Sequence, residues 1–327
     1  YAQVNISVVI PVYNSSSILP ELVLRLGEVL KTCSQEHELI FVNDGSRDRS
    51  WEVICRLVAD NSWVRGINLM RNYGQHNALL CGIRMARHDI IVTMDDDLQH
   101  PPEEIPKLIE KLDDGYDVVY GSPVHEQHGL WRDMASLITK SSLKATIGIE
   151  TARMVSAFRA FRTQLRDAFS EYRGSFVSLD VLLTWGTTRF TAVPVRHDVR
   201  KAGASNYTLW KLVTHAFNMI TGFSPVPLQV ASILGFLFTL FGLIILAIVI
   251  GNYFIRGGSV PGFSFLACTI AIFSGVQLLM LGIFGEYLAR IHFRTMERPS
   301  SVIREIREPG SDTRPAPQVE QSSHGRA

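Results

Sequence analysis

The strongest constraint on the fold of this chain is a pair of long apolar segments near its C-terminal end. Neither residues 212–255 nor residues 257–285 contain a single Asp, Glu, Lys or Arg. A helix needs about 20 apolar residues to cross a bilayer, and segments 228–255 and 263–285 both reach that length. We therefore predict two transmembrane helices joined by a short loop. A buried helical hairpin in a soluble protein is the alternative, but core helices are usually shorter.

Basic residues flank this predicted hairpin and indicate its orientation. Arginine and lysine collect on the cytoplasmic side of transmembrane helices, and the loop between the two segments holds only Arg256. We therefore predict a multi-pass protein of the inner membrane, without a signal peptide, whose termini and long N-terminal region are cytoplasmic. The flanking basic residues are Arg196, Arg200, Lys201 and Lys211 before the hairpin, and Arg290, Arg294 and Arg298 after it.

The segments around the hairpin differ in composition. Residues 201–227 include an amphipathic pattern over residues 209–223, which predicts a juxtamembrane helix in the membrane interface. Residues 290–307 are predicted to be cytoplasmic. Residues 308–327 are rich in Pro, Ser, Gln and charge, a composition typical of a disordered tail.

The first 200 residues have the alternating pattern of an α/β domain. Helical patterns separate short runs rich in Val and Ile, which predicts a mostly parallel sheet with helices on both faces. The formal net charge of +1 gives no overall field for binding nucleic acid. The four cysteines are scattered, which indicates core thiols rather than a zinc site or disulfides. The predicted strands are residues 5–12, 38–42, 64–69, 90–94 and 117–120.

The fourth predicted strand ends in three consecutive acids, Asp95, Asp96 and Asp97, with Gln99 shortly after them. Three adjacent carboxylates are costly to ionise together unless a cation neutralises them. A hard divalent ion suits oxygen ligands, and Mg²⁺ held by one or two carboxylates usually also binds substrate phosphates. This pattern predicts a metal and diphosphate site, with a solvated acidic turn as the alternative.

Polar residues also follow the other predicted strands: Tyr13, Asp44 and Arg71 each come just after a strand ends. Ligands bind at the carboxyl ends of parallel strands, so these residues and the acids are predicted to share a crevice for a nucleoside diphosphate. Basic residues in the predicted helix 130–147, and Arg159 after it, either bind phosphate or form a solvated face. The sequence contains no GxGxxG and no GxxxxGK[ST] motif, which disfavours dinucleotide-binding and P-loop proteins.

Several motifs together resemble those of a known family. They are, in order, VVIPVYN, VNDGSRDRS, RNYGQHNALLCG, DDDLQHPPEEIP, GYDVVYG and FGEYLARI. Over residues 6–306 the chain resembles the family 2 glycosyltransferases of GT-A fold, and more narrowly the polyisoprenyl-phosphate glycosyltransferases. That group includes dolichyl-phosphate mannose synthase and the bacterial undecaprenyl-phosphate 4-deoxy-4-formamido-arabinose transferases, the branch that the chain resembles most. The resemblance implies a Rossmann-like GT-A catalytic domain over residues 1–200, followed by the membrane hairpin.

The resemblance also implies a divalent metal, Mg²⁺ or Mn²⁺, bound to the diphosphate of the donor. Asp95 and Asp97 match the outer acids of the family's DxD motif, and Gln99 matches a glutamine two residues further on. These three are the implied metal ligands, while Asp96 is implied to face the ribose. The residues that match the pocket for the nucleotide are Pro11, Tyr13, Asp44 and Arg71.

A further set of matches concerns the phosphate groups. Arg132 and Ser136 match a helix that meets the phosphates, and Lys144 stands where an arginine is usual. Arg159 matches the arginine of the family's FR pair. The implied catalytic residues are Asp97, Arg132, Lys144 and Arg159. The residues that match the juxtamembrane RxxGxSKY pattern, where the lipid phosphate is expected, are Arg200, Ser205 and Tyr207.

Three positions depart from the family pattern. Ser15 replaces the acid of PVYNE, Asn206 replaces the lysine of SKY, and Ala157 occupies the position of a proposed catalytic base. A phosphate monoester has a second pKa near ~6 and is already anionic at neutral pH. A strong general base is therefore not needed, and catalysis is expected to rest on positioning and charge stabilisation.

The predicted function is inverting transfer of a sugar from a nucleotide diphosphate to a polyprenyl phosphate such as undecaprenyl phosphate. UDP-sugars are the preferred donors and GDP-sugars the second choice. The relatives also imply a homotetramer, with residues 299–306 as an edge strand. One alternative is a catalytically impaired, nucleotide-binding membrane scaffold. The other is a processive polysaccharide synthase, which the absence of QxxRW and the presence of only two predicted spans disfavour.

Overall fold

The description of the fold comes from a computed structural model. Two predicted helices, at residues 130–147 and 209–223, lie outside the residues that it describes. The described residues are 4–123, 154–172, 174, 177–198, 226–256, 262–296, 299–310 and 314–315.

A single mixed sheet forms the centre of this part of the chain. Its strands are β1 (Val4–Val12), β2 (Ser34–Asn43), β3 (Val64–Leu69), β4 (Ile90–Thr93), β5 (Val118–Pro123), β6 (Arg159–Arg162), β7 (Phe190–Val195), β8 (Ile303–Arg307) and β9 (Arg314–Pro315). Their order across the sheet is β7-β5-β6-β4-β1-β2-β3-β8-β9.

The middle of the sheet is parallel. β1 pairs in parallel with both β2 and β4, and β2 pairs in parallel with β3. Val8 and Val9 are both fully buried on opposite faces of β1, as expected for a strand covered on both sides. The predicted mostly parallel α/β architecture is confirmed. β6 is a strand that the sequence did not predict, and it lies antiparallel between β4 and β5.

Helices cover both faces of the sheet, and each face has its own apolar core. Leu22, Ile54 and Leu108 belong to one core, whereas Leu79 and Leu182 belong to the other. The helices on the first face are α1 (Leu19–Cys33), α2 (Ser50–Asp60) and α4 (Ile105–Asp113), and those on the second are α3 (Gln75–Met85) and α5 (Leu179–Gly186).

The contact between α3 and the sheet is close at Gly82. A Cβ atom on Gly82 would lie 2.4 Å from Val9 Cγ1 and 2.9 Å from Val42 Cγ2. Both valines are fully buried in the centre of parallel strands. The helix therefore approaches the sheet at a distance that only glycine permits.

We expect Gly82→Ala to destabilise the protein by about 1–3 kcal/mol, because overpacking a tight core forces neighbouring groups to shift. Thermal unfolding of the full chain in detergent measures the effect as a lower Tm. Gly275→Ala is the control, since a Cβ there meets nothing within 4 Å. Equal Tm values for Gly82→Ala and the unsubstituted protein would contradict the close contact.

Two long helices, α6 (Val226–Arg256) and α7 (Phe263–Thr295), lie at the predicted spans. Within α6 the window Leu228–Ile245 has a mean hydropathy of 2.3 and is 6% buried, so it is long and apolar enough to cross a membrane. The apolar part of α7 is shorter, Phe273–Ala289. In the described part of the chain one helix meets this test, and the pair is consistent with a membrane hairpin.

After α7 the chain returns to the sheet. β8 pairs antiparallel with β3 and places Ile303 beside Leu69. Trp51 Nε1 on α2 donates a hydrogen bond to Glu305 Oε1 at 2.6 Å, which ties the strand to a covering helix. The edge strand suggested at residues 299–306 is therefore strand 303–307 of the chain's own sheet, while the tetramer stays a prediction.

Candidate active site

The candidate site lies where parallel strands end side by side. The last residue of β1, Val12, pairs with Asn43 at the end of β2, and β2 carries Asn43 beside Asn68 near the end of β3. Thr93 at the end of β4 pairs with Val9 of β1. The loops after these strands therefore meet at one edge of the sheet, as the sequence predicted, and they hold the polar residues of the site.

The acidic turn after β4 joins two other loops. Gln75 Nε2, at the start of α3, donates to Asp95 Oδ1 at 2.5 Å. The backbone N–H of Tyr13 donates to Asp96 Oδ2 at 3.3 Å. Asp97 is 7% exposed and its Oδ1 accepts the backbone N–H of Gln99 at 3.1 Å. Each of the three carboxylates thus has a different hydrogen-bond partner.

The backbone of this turn is strained at Leu98. Its φ is +57°, a left-handed value that a leucine rarely adopts. Leu98 is 1% exposed, so burial of its side chain holds the conformation in place. Such strain concentrates at functional sites, and here it lies between Asp97 and Gln99, two of the three predicted metal ligands.

The carboxyl of Asp96 carries an unfavourable charge. Burial raises its pKa, and the charge of Asp97 raises it further, while hydrogen bonds from the Ser15 side chain and from the Tyr13 N–H act in the opposite direction. Ser15 stands where the family has an acid. A second carboxylate here would repel Asp96, whereas the serine hydroxyl stabilises its charged form.

Asp44 at the end of β2 contacts the loop that follows β3. Its Oδ1 accepts the backbone N–H of Tyr73 at 2.7 Å, and its Oδ2 accepts that of Gly74 at 2.9 Å. Burial raises the pKa of Asp44, and these two hydrogen bonds oppose that shift. Arg71 in the same loop is exposed, and its guanidinium lies 4.5 Å from the centroid of the Tyr73 ring.

Arg159 occupies a different environment from the one its predicted role suggests. It is 2% exposed and forms an ion pair with Asp180 of α5. Tyr120 OH donates to the same Asp180 Oδ1 at 3.0 Å, and the Arg159 guanidinium lies 5.8 Å from the Tyr120 ring. Burial and the Asp180 charge raise the pKa of Tyr120. Arg159 therefore belongs to a buried cluster with Tyr120 and Asp180, and a direct role in catalysis stays a prediction.

The oxygen-rich turn fits a hard divalent ion. Its acids supply carboxylate oxygens, and a bound cation would oppose both the burial and the Asp97 charge that raise the pKa of Asp96. Within the described residues no group of three or more His, Cys, Asp or Glu side chains is arranged to hold a metal alone. A metal here would need oxygens from a bound diphosphate, as is usual for Mg²⁺.

The described part of the chain brings only some of the predicted site residues together. Tyr13, Asp95, Asp96 and Asp97 lie together, while Asp44 follows β2 and is hydrogen-bonded to the β3–α3 loop that carries Arg71. Pro11 is buried inside β1, beside Val42 of β2. The predicted residues that lie outside the described part are Arg132, Ser136, Lys144, Arg200, Ser205 and Tyr207.

Sequence reasoning missed Gln75 and Asp180. Gln75 belongs to the RNYGQHN motif, which could have marked it as a candidate site residue. Its contact with Asp95, 20 residues further along the chain, could not be read from the motif. Asp180 lies in the first turn of α5, and nothing in the neighbouring sequence distinguishes it from an ordinary acid in a first helical turn. Both are recognised only from contacts that the fold creates.

Comparison with known proteins identifies the class. The glycosyl transferase family 2 model matches residues 7–172. A relative from Shewanella sediminis (strain HAW-EB3), named undecaprenyl-phosphate 4-deoxy-4-formamido-L-arabinose transferase, is 37% identical over 312 residues, which cover 92% of each chain. The chain belongs to glycosyl transferase family 2, and it is a glycosyltransferase.

Solved structures support the fold. Glucosyl-3-phosphoglycerate synthase from Mycobacterium tuberculosis, crystallised with Mn²⁺, UDP and glucosyl-3-phosphoglycerate, is similar with a TM-score of 0.50 and 19% identity, over 67% of this chain and 78% of that one. A mycobacterial protein is similar with a TM-score of 0.50 and 20% identity, over 67% of this chain and 74% of that one. At such identities the similarity concerns the fold alone.

Proposed function

We propose that this protein transfers a sugar, with inversion, from a nucleotide diphosphate to a polyprenyl phosphate at the cytoplasmic face of the inner membrane. Undecaprenyl phosphate is the proposed acceptor, and UDP-sugars are preferred to GDP-sugars as donors. The observation that carries the proposal is the relation to an undecaprenyl-phosphate sugar transferase over 92% of both chains. This similarity covers both the sheet and the long helices that follow the sheet in the chain.

The membrane helices support a lipid acceptor. α6 contains a window that can cross a bilayer, and β8 returns to the same sheet after α7. A chain that starts and ends in one folded sheet must cross the membrane an even number of times. Two spans meet this condition, with the sheet and the C-terminal segment on the same side of the membrane.

The acidic turn is the proposed metal site. Asp95, Asp97 and Gln99 would hold Mg²⁺ or Mn²⁺ together with the donor diphosphate, and the ion would stabilise the charge of the leaving nucleotide. A structural neighbour was crystallised with Mn²⁺ and UDP, which supports a divalent metal ion beside the donor diphosphate. Asp96 and Tyr13 are tied by a hydrogen bond, and we assign them to the ribose side.

The acceptor needs little help to react. A phosphate monoester is largely dianionic at neutral pH, because its second pKa is about 6, so Ala157 in place of a base is compatible with activity. Catalysis would then depend on holding the lipid phosphate in line with the sugar. We propose Arg132, Ser136 and Lys144 for the donor phosphates, and Arg200, Ser205 and Tyr207 for the lipid phosphate.

The function is tested with purified full-length protein, undecaprenyl phosphate and Mn²⁺, offered a panel of UDP- and GDP-sugars. We expect one UDP-sugar to give a lipid product whose mass equals undecaprenyl phosphate plus one glycosyl residue. Mass spectrometry of the lipid fraction measures it.

Each outcome of the panel separates one hypothesis from another. Addition of many sugar units would indicate a processive synthase. Nucleotide binding without any lipid product from the whole panel would favour the impaired scaffold. Product from GDP-sugars alone would overturn the UDP preference and leave the transferase assignment intact. Sugar transfer to an acceptor other than undecaprenyl phosphate, with none to undecaprenyl phosphate, would contradict the proposal itself.

A further inference from the structure

The loop between β3 and α3, residues 70–74, carries the predicted nucleotide residue Arg71. Its first two residues are exposed: Met70 is 49% exposed, and Arg71 is exposed as well. Exposed loops are usually mobile. This loop is instead attached to two separate parts of the chain.

The turn after β2 holds one side of the loop. Asp44 accepts the N–H groups of Tyr73 and Gly74 at 2.7 and 2.9 Å. Gly45 has a φ of +65°, and a Cβ on it would lie 2.5 Å from the backbone nitrogen of Asn72. The two loops are thus in direct backbone contact, with no room for a side chain between them.

The chain after the membrane helices holds the other side. The N–H of Met70 donates to the carbonyl oxygen of Val302 at 2.9 Å. Arg304 returns the contact, since its Nη2 donates to the carbonyl oxygen of Met70 at 3.2 Å. Both backbone groups of Met70 therefore contact the segment that follows α7.

We propose that Arg304 and the start of β8 position the Arg71 loop, so that the segment after the membrane helices sets the affinity for the donor nucleotide. Arg304 is a positioning residue, because it acts on Arg71 through the backbone of Met70. The inference rests on the proposed function, in which Arg71 belongs to the nucleotide pocket.

The experiment replaces Arg304 in the full-length protein. One hydrogen bond to a backbone carbonyl contributes about 0.5–1.5 kcal/mol, so Arg304→Ala should weaken UDP binding by up to about two- to twelvefold in the presence of Mn²⁺. Arg304→Glu should weaken it further, because a carboxylate would face the Met70 carbonyl. Arg304→Lys keeps a donor and should restore most of the affinity. Isothermal titration with UDP measures the binding.

Hydrogen–deuterium exchange of the peptide covering residues 69–76 gives a second readout that needs no nucleotide. Arg304→Ala should accelerate exchange at Met70, Tyr73 and Gly74, whose N–H groups are hydrogen-bonded. Arg307→Ala is the matched control, since Arg307 lies on the same strand but pairs with Gly66, away from the loop.

The two readouts separate failure of the inference from failure of the proposed function. Unchanged exchange and unchanged UDP binding in Arg304→Ala would overturn the inference, as would equal effects from Arg307→Ala. If the unsubstituted protein does not bind UDP, the proposed donor is wrong. The exchange data alone then decide: faster exchange only in the Arg304 variants supports the positioning role, and unchanged exchange refutes it.

Discussion

Asp97→Asn should lower sugar transfer at least about a hundredfold, the scale seen when one preorganised electrostatic contact to a developing charge is removed. Asp97 Oδ1 accepts the Gln99 N–H, and the carbonyl oxygen of asparagine can accept the same bond. The substitution therefore keeps the strained turn at Leu98 and removes the charge. Initial rates of lipid-linked product, measured over a range of Mn²⁺ concentrations, report the loss.

Two controls make this result specific to the charge of Asp97. Asp60→Asn changes an exposed acid at the end of α2 and should leave the rate unaltered. The Tm of Asp97→Asn should stay close to that of the unsubstituted protein, because the turn is retained. Full turnover in Asp97→Asn, with unchanged dependence on Mn²⁺, would refute the metal site.

Arg159→Ala should produce the largest loss of stability. It leaves Asp180 buried without its cationic partner, and breaking a buried ion pair costs about 3–5 kcal/mol. For a domain of this size the change corresponds to a Tm roughly 10 °C lower. Thermal unfolding of the full chain in detergent measures the shift. Arg56→Ala, which removes an exposed arginine on α2, should change the free energy of unfolding by less than about 0.5 kcal/mol.

A double variant at Arg159 and Asp180 distinguishes a structural role of Arg159 from a catalytic one. Arg159→Met combined with Asp180→Leu removes both charges, and such apolar replacements often recover stability. If the double variant regains its Tm but stays inactive, Arg159 acts in the reaction as the family resemblance implies. If activity returns with the Tm, the arginine is structural. An unchanged Tm in Arg159→Ala would contradict the buried pair.

The central sheet was predictable because its strands are marked locally. β1 and β4 are apolar runs that end in polar turns, and such patterns are visible within about ten residues. β6 has the sequence RAFR, whose two arginines resemble a basic surface segment. β8 is polar on one side and follows the two long apolar helices, so its pairing with β3 depends on a contact that no local pattern encodes.

The site residues, like the strands, were predictable from the sequence only in part. The acids of the turn after β4 are adjacent in sequence, so their common environment was predictable. The partner of Arg159 was not, since Asp180 lies 21 residues away on a helix that is otherwise mostly apolar. For Asp44 the family resemblance suggested the nucleotide, whereas the structure adds two backbone N–H groups as its partners.

The position of β8 in the sheet has a consequence for biosynthesis. Arg304 follows Met70 by 234 residues, and a ribosome adding about 5–20 residues per second needs roughly 10–50 s to make that length. During this time the edge of β3 is open, and an open edge can pair with other chains. The nascent sheet is completed only after both long helices have been synthesised and have left the translation machinery. Pairing of β8 with β3 is therefore a late step in the formation of the sheet, and it follows synthesis of both long helices.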